Sequence, residues 1–347
     1  MHKYDLPSEI QRRDVTDPAV FLDRRRFLKQ AAATVGLLAG PAACAQEPAA
    51  APPSTGTPAK LTPPIDRPDV FPPERALEPG IPPQLDQTLT PRLAAASHNN
   101  FYEFLYGRAG DVWPLTHDFV VEPWSVEVTG ECNKPTTFDL DALFKFAHEE
   151  RLCHFRCVER WAMNVPWSGF PLRTLLEQVE PTSHAKFVRF VSANRPEQMR
   201  GMRRRPDNPW PYHEALRLDE AMNDLAMVVT GVYGEPLLKQ HGAPIRIIVP
   251  WKYGYKNPKS IVKIELLREQ PPTFWATLNP PEYGFLSNVN PFIPHPRWSQ
   301  ARSYWLDKQD KSFPTPIFNG YGKYVADLYP DEPRELIPAL SRGQIAR

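Results

Sequence analysis

Thirteen of the chain's 42 prolines fall between Gln46 and Pro91. Each fixes φ and removes a backbone donor, so this stretch can run neither as a helix nor as a central strand. It reads as extended chain. Its earlier half is a tether. Its later part carries Val70, Phe71, Leu77, Ile81 and Leu85, enough apolar side chain to drape over a globular body.

The 347 residues allow one large domain or two small ones, and 9 tryptophans, 12 tyrosines and 18 phenylalanines can supply a rigid core. A formal net charge of +1 gives no reason to expect nucleic acid or a strongly anionic partner. Four cysteines are too few to build the fold from disulfides.

Periodicity places the folded body from His98 to residue 347, after a tether and arm over 46–97. Trp124, Val126 and Val128 alternate as in a half-buried strand. Asp139 is a candidate N-cap for a helix with Leu140, Leu143 and Phe144 on one face. "LCHFRCV" reads as extended, "LRTLLEQV" as a helix stopped by Pro181, and "KFVRFVSA" as a strand. "LRLDEAMN" is a short helix or turn, "LAMVVTGVYG" a buried strand, and "PIRIIVPW" and "SIVKIELL" two more. Residues 195–212 read as a surface loop rimming a pocket, and about 80 irregular residues follow the last core strand. Strands outnumber helices without βαβ spacing, which predicts one compact α+β domain on mixed or antiparallel sheets.

The N-terminus carries Arg24 and Arg25, then Phe27, Leu28 and Lys29, and an Ala-rich apolar run to Ala43 that is short for a membrane span. Residues 1–45 resemble a bacterial twin-arginine export signal, with a cleavage site after Ala45 and, as an alternative, lipidation at Cys44. That resemblance implies a protein exported folded to the periplasm, with its cofactor already inserted.

Three stretches can carry chemistry. In "FRCVERWAMNVPWSGFPL" Cys157 sits among Arg156, Arg160, Trp161 and Trp167, a setting expected to favour a thiolate. Cys153 precedes it by four residues. That is not zinc-knuckle spacing, and Cys132 and Cys153 are expected to be buried or to pair with each other. In "HNNFYEF", Asn99, Asn100, Tyr102 and Glu103 offer dense hydrogen-bonding capacity, or simply a turn and a packed aromatic. In "QHGAPIRIIVPWKYGYKNPKSI", Arg246, Lys252, Lys256 and Lys259 with a tight bend at Gly254 make either a phosphate cradle or a solvated basic loop. There is no GxGxxG, no Walker loop and no CxxCH.

Together with "RLDEAMN", "NVNPFIPHPRWSQA" and "FNGY", these stretches resemble the catalytic subunits of the periplasmic methionine-sulfoxide reductase family, MsrP (YedY), from about His98 onward. The resemblance implies a sulfite-oxidase-like molybdopterin-binding domain with Mo-molybdopterin as cofactor and Cys157 as the protein ligand to molybdenum. It implies cofactor contacts from Asn99, Tyr102 and Glu103; from Ser192, where the family has threonine; from His241, where some members have asparagine; and from Arg246. The turn Asn257-Pro258-Lys259 would complete the set, although Pro258 has no N–H to offer. Tyr253 and neighbouring tyrosines would position substrate. The implied substrates are oxidised periplasmic proteins, and the implied electron donor is a haem-bearing integral-membrane subunit (MsrQ-like) fed by quinones, with this chain peripheral to the inner membrane.

The alternatives are a sulfite-oxidising enzyme of the same fold, a hydrolase with Cys157 as nucleophile and His154 or His241 as base, and an exported binding protein.

Overall fold

A computed structural model describes residues 59–336. The twin-arginine segment, Cys44 and the first part of the tether lie outside the described residues. The order of elements is α+β, with two sheets.

The first sheet holds β1 (Ser125–Gly130), β2 (Thr136–Asp139), β5 (Phe187–Ser192), β6 (His213–Arg217) and β10 (Ile261–Leu267), ordered β2-β1-β10-β5-β6. Only the β1–β10 pair in it is parallel. The second holds β3 (Glu149–Arg156), β4 (Trp161–Pro171), β7 (Met227–Val232), β8 (Glu235–Pro236), β9 (Arg246–Ile248), β11 (Arg302–Trp305) and β12 (Ser312–Pro314). Its path is β12-β11-β4-β7-β8, with β3 on β4 and β9 on β7. The mixed sheets agree with the sequence reading.

The helices form where the apolar spacing asks for them. Asp139 caps the helix Leu140–Phe144, accepting from the Ala142 N–H at 2.7 Å. The helix Leu172–Val179 buries Leu172, Leu175, Leu176 and Val179, the one-face spacing of an α-helix, and ends at Glu180 with φ 54°. Those side chains join Val128, Val165, Val228 and Ile264 in one hydrophobic core fed by both sheets.

Three segments differ from the sequence reading. The longest strand, β4, was hidden by Pro166 and Pro171. Pro166 pairs with Leu152 of β3 but lies just past the last β4–β7 pair at Trp167, where its missing donor is tolerated. Residues 195–212 are not all loop: a helix spans Arg200–Arg204 and buries Gly201 and Met202. The C-terminal residues are not merely irregular: β11 adds to β4 in parallel, and β12 makes the sheet edge.

Residues 59–97 lie along the body. Ile65, Ile81 and Leu85 are buried, Val70 and Phe71 pack against the core, and Leu77 is 91% exposed. Among the described residues no helix is long and apolar enough to cross a membrane.

Candidate active site

Cys157 is fixed by a tight hairpin. β3 and β4 pair down to Arg156↔Ala162, and the turn between them runs from Cys157 to Arg160. The Arg160 N–H donates to the Cys157 carbonyl at 3.0 Å and the Cys157 N–H to the Trp161 carbonyl at 2.9 Å. Arg160 takes φ 77°, the left-handed residue that such a loop needs before the strand resumes.

The turn is braced from behind. The buried Arg156 guanidinium donates to the Cys157 carbonyl, to Ser303 Oγ at 2.7 Å and to Gln300 Oε1 at 2.8 Å. Gln300 Nε2 and Trp298 Nε1 both donate to the Val158 carbonyl, at 2.9 and 3.0 Å. Two carbonyls of the turn are thus held by groups that cannot relax into solvent.

The thiol faces a cavity with about 80 Å³ of free space. Asn100 Nδ2 lies 3.4 Å from Cys157 Sγ and 3.0 Å from Glu159 Oε2. The same carboxylate oxygen accepts from Trp161 Nε1 at 3.2 Å and stands 3.9 Å from the sulfur. Burial, with the Glu159 charge next, pushes the Cys157 thiol up to about 12. This corrects the expectation of a stabilised thiolate. Arg156 turns its donors to Cys157's own carbonyl and to residues behind the turn, and Arg160 points outward and is exposed. A metal must displace the proton itself.

Of the residues named from sequence, Asn99, Tyr102, Glu103, Cys157, Arg246 and Lys259 line this cavity. Burial pushes the Glu103 carboxyl up; burial and the Arg246 charge push the Lys259 ammonium down. Lys259 donates to the Asn100 carbonyl at 2.8 Å. Ser192 and His241 stand outside the lining, in the wall behind it. Asn257 and Pro258 do not reach the lining either. The Asn257 amide closes its own loop on the Tyr253 and Gly254 carbonyls, both at 3.2 Å, and the Pro258 carbonyl accepts from Ile247 N–H at 3.0 Å. Tyr253 is buried beneath the Arg156 guanidinium, 5.6 Å from its ring, so the tyrosines that reach the cavity are Tyr102, Tyr212, Tyr255 and Tyr283.

The basic loop splits. Lys252 is bound to Glu220 at 2.7 Å, and Lys256 to Glu214 at 2.7 Å, each pair buried. Neither is free to cradle a phosphate; only Lys259 is. Gly254 is needed for close approach, because a Cβ there would stand 2.7 Å from the Phe155 ring.

Unpaired polar atoms show what the site is built to hold. Asn99 Oδ1, Ser192 Oγ, His241 Nδ1 and Arg246 Nε are buried with no hydrogen-bond partner in the protein. Buried groups of this kind are costly unless something satisfies them. Among the described residues no three His, Cys, Asp or Glu side chains gather as a metal site. One thiol, with Asn99 Oδ1 and Arg246 Nε unpaired in the lining, therefore fits a metal whose other ligands come from an organic, anionic cofactor.

Other expectations fall away. Of the two expectations for Cys132 and Cys153, the disulfide is absent, while Cys153 is a buried free thiol and Cys132 a half-buried one. Burial holds His154 down to about 4 and His241 down to about 3, and neither lines the cavity, so neither is placed to act as base to Cys157. Glu159, Trp275 and Tyr283 were missed. Glu159 alone had a sequence signal, two residues beyond the cysteine in a tight turn.

Comparison with known proteins adds a family. Residues 113–275 match the model of the oxidoreductase molybdopterin binding domain. The chain is 45% identical over 332 residues to the protein-methionine-sulfoxide reductase catalytic subunit MsrP of Burkholderia mallei (strain ATCC 23344), covering 92% of this chain and 93% of that protein. It is 43% identical over 331 residues to the protein of the same name from Xanthomonas axonopodis pv. citri (strain 306), covering 94% and 95%. Among solved structures, the sulfane dehydrogenase SoxCD of Paracoccus pantotrophus aligns over 63% of this chain and 53% of its own, at 16% identity and a TM-score of 0.46.

Proposed function

The chain belongs to the family of protein-methionine-sulfoxide reductase catalytic subunits, and on that premise we propose that Cys157 is its single protein ligand to molybdenum. It is an oxidoreductase carrying a molybdopterin binding domain. The sulfite-oxidising alternative loses its ground, since relatives matched over nearly the whole chain are reductases of methionine sulfoxide.

Removing oxygen from a sulfoxide consumes two electrons and two protons and yields a thioether and water. The bound molybdenum–pterin group supplies the two-electron, oxygen-accepting chemistry that side chains lack. The chain's own residues do the rest. Cys157 Sγ gives up its proton to hold the metal. Asn100 and Trp161 fix the Glu159 carboxylate beside the sulfur, where it is placed to relay protons toward the departing oxygen. Arg246, His241, Ser192 and Lys259 take the anionic end of the cofactor with Asn99, Tyr102 and Glu103 at the cavity wall, and Asn257 and Pro258 shape the turn that presents Lys259. Tyr102, Trp275 and Tyr283 form an aromatic wall suited to a thioether.

The electrons come from outside, because the sequence has no haem, flavin or nicotinamide motif of its own. We assign them to a haem-bearing membrane subunit fed by quinones, and place the enzyme in the periplasm on the strength of the twin-arginine segment over residues 1–45. Residues 46–97 then serve as tether and arm, with the catalytic body over 98–347.

The observation that carries this reading is a buried thiol lining a cavity where, among the described residues, no three His, Cys, Asp or Glu side chains gather to hold a metal. Metal analysis tests it: the purified holoenzyme should contain about one molybdenum per chain, and Cys157→Ser should abolish sulfoxide reduction. Full turnover by that variant overturns the reading.

A further inference from the structure

Outside the thiol cavity lies a second recess of about 360 Å³. Tyr102, Glu159, Trp275 and Tyr283 line both spaces. Tyr102 and Trp275 meet edge to face at 4.9 Å, and Trp275 and Tyr283 lie 5.0 Å apart, which makes a stiff corner between the two. The recess is too wide for one methionine side chain and has the size of a short run of polypeptide. Its shared border with the cavity suits a substrate whose reacting side chain reaches the thiol side while its backbone stays outside.

The charges at the recess are unequal in availability. Arg297 is bound to Glu282 at 2.8 Å. The Glu159 carboxylate is turned inward on Asn100 and Trp161. Arg160 also lines the recess, is exposed, and makes no ion pair or side-chain hydrogen bond among the described residues. Its backbone gives a second reason to single it out. At φ 77° it holds the left-handed place of the hairpin, where glycine fits without strain. A bulky side chain there costs on the order of 1 kcal/mol. The turn needs the conformation but not the guanidinium.

We propose that this recess seats the polypeptide flanking a methionine sulfoxide, and that Arg160 pairs with an acidic side chain next to it in the substrate. The inference rests on the function proposed above and adds a sequence preference to it.

The test uses the holoenzyme and two synthetic peptides, each with one methionine sulfoxide, flanked in one by glutamate and in the other by glutamine. Calorimetric titration should show the glutamate peptide binding about threefold tighter, as an exposed ion pair allows. The advantage should shrink as salt is raised. Arg160→Gln and Arg160→Gly should both reduce the ratio of dissociation constants to one. The glycine variant should melt no lower than the wild type, which separates lost recognition from lost folding. Equal binding of the two peptides by the wild type overturns the proposal, as does a ratio that survives both substitutions. Failure of the functional reading looks different: the wild-type holoenzyme, given an artificial electron donor, would reduce neither peptide, whatever their binding ratio.

Discussion

Gln300 joins two parts of the thiol turn: its Oε1 accepts from the Arg156 guanidinium at 2.8 Å while its Nε2 donates to the Val158 carbonyl at 2.9 Å. Gln300 is 2% exposed and Arg156 fully buried. The brace comes from a segment just before β11, beyond the residues matched by the family model. The C-terminal part of the chain therefore sets the position of a cysteine more than a hundred residues earlier.

Gln300→Ala should strand a buried guanidinium donor and leave the Val158 carbonyl with Trp298 Nε1 alone. Unsatisfied buried groups of this kind cost about 2–3 kcal/mol. At this chain size that lowers the melting temperature by roughly 3–5 °C. Thermal melts of wild type and variant at matched metal content check it; an unchanged melting temperature would show that the brace contributes nothing to stability.

Glu159→Gln keeps the shape of the side chain beside the sulfur but removes the group assigned to proton delivery. Turnover should fall about 100-fold or more. Molybdenum content should be unchanged, which separates lost proton relay from lost cofactor.

In the cofactor-free chain, the Cys157 thiol should resist alkylation at pH 8 and titrate near the value of about 12 to which burial and Glu159 push it. The folded thiol keeps a proton that the unfolded chain releases from about pH 9. Stability from this group is therefore whole below that pH and lost as pH rises toward 12. Glu159→Gln should lower the thiol value, because it removes the second-largest cause of the rise. Thiolate absorbance against pH measures both effects.

How much of this was legible in the sequence depended on whether a residue's role was local. Asp139 as a cap, the buried stripe of Leu172–Val179 and the alternation of β1 and β5 are properties of short windows, and they were readable. The setting of Cys157 misled in part, because the arginines beside it in sequence do not turn to its sulfur. Lys252, Lys256 and Lys259 look alike in sequence; what separates them is that Glu220 and Glu214, more than thirty residues away, meet the first two inside the core. Pro166 concealed β4 because tolerance of a proline depends on where the neighbouring strand stops. Trp275 and Tyr283 lie in a proline-broken stretch with no periodicity, and only tertiary packing brings them to Tyr102.

His154 provides an acid limit to stability. It is fully buried, with Nδ1 on Asn164 Oδ1 at 2.8 Å, and burial holds it down to about 4. The unfolded chain takes up this proton from about pH 6.5, the folded chain only near 4. Stability is thus present above 6.5 and falls as pH drops through that window, by on the order of 2–3 kcal/mol. Denaturant midpoints between pH 7 and 4 should show the slope, and His154→Gln should flatten it.

The proposed bond between the Cys157 sulfur and molybdenum is tested most directly by X-ray absorption at the molybdenum edge, comparing wild-type holoenzyme with a cofactor-loaded Cys157→Ser variant. The proposed ligation predicts one sulfur neighbour fewer around the metal in the variant, together with loss of sulfoxide reduction. An identical sulfur count in the two proteins would contradict it.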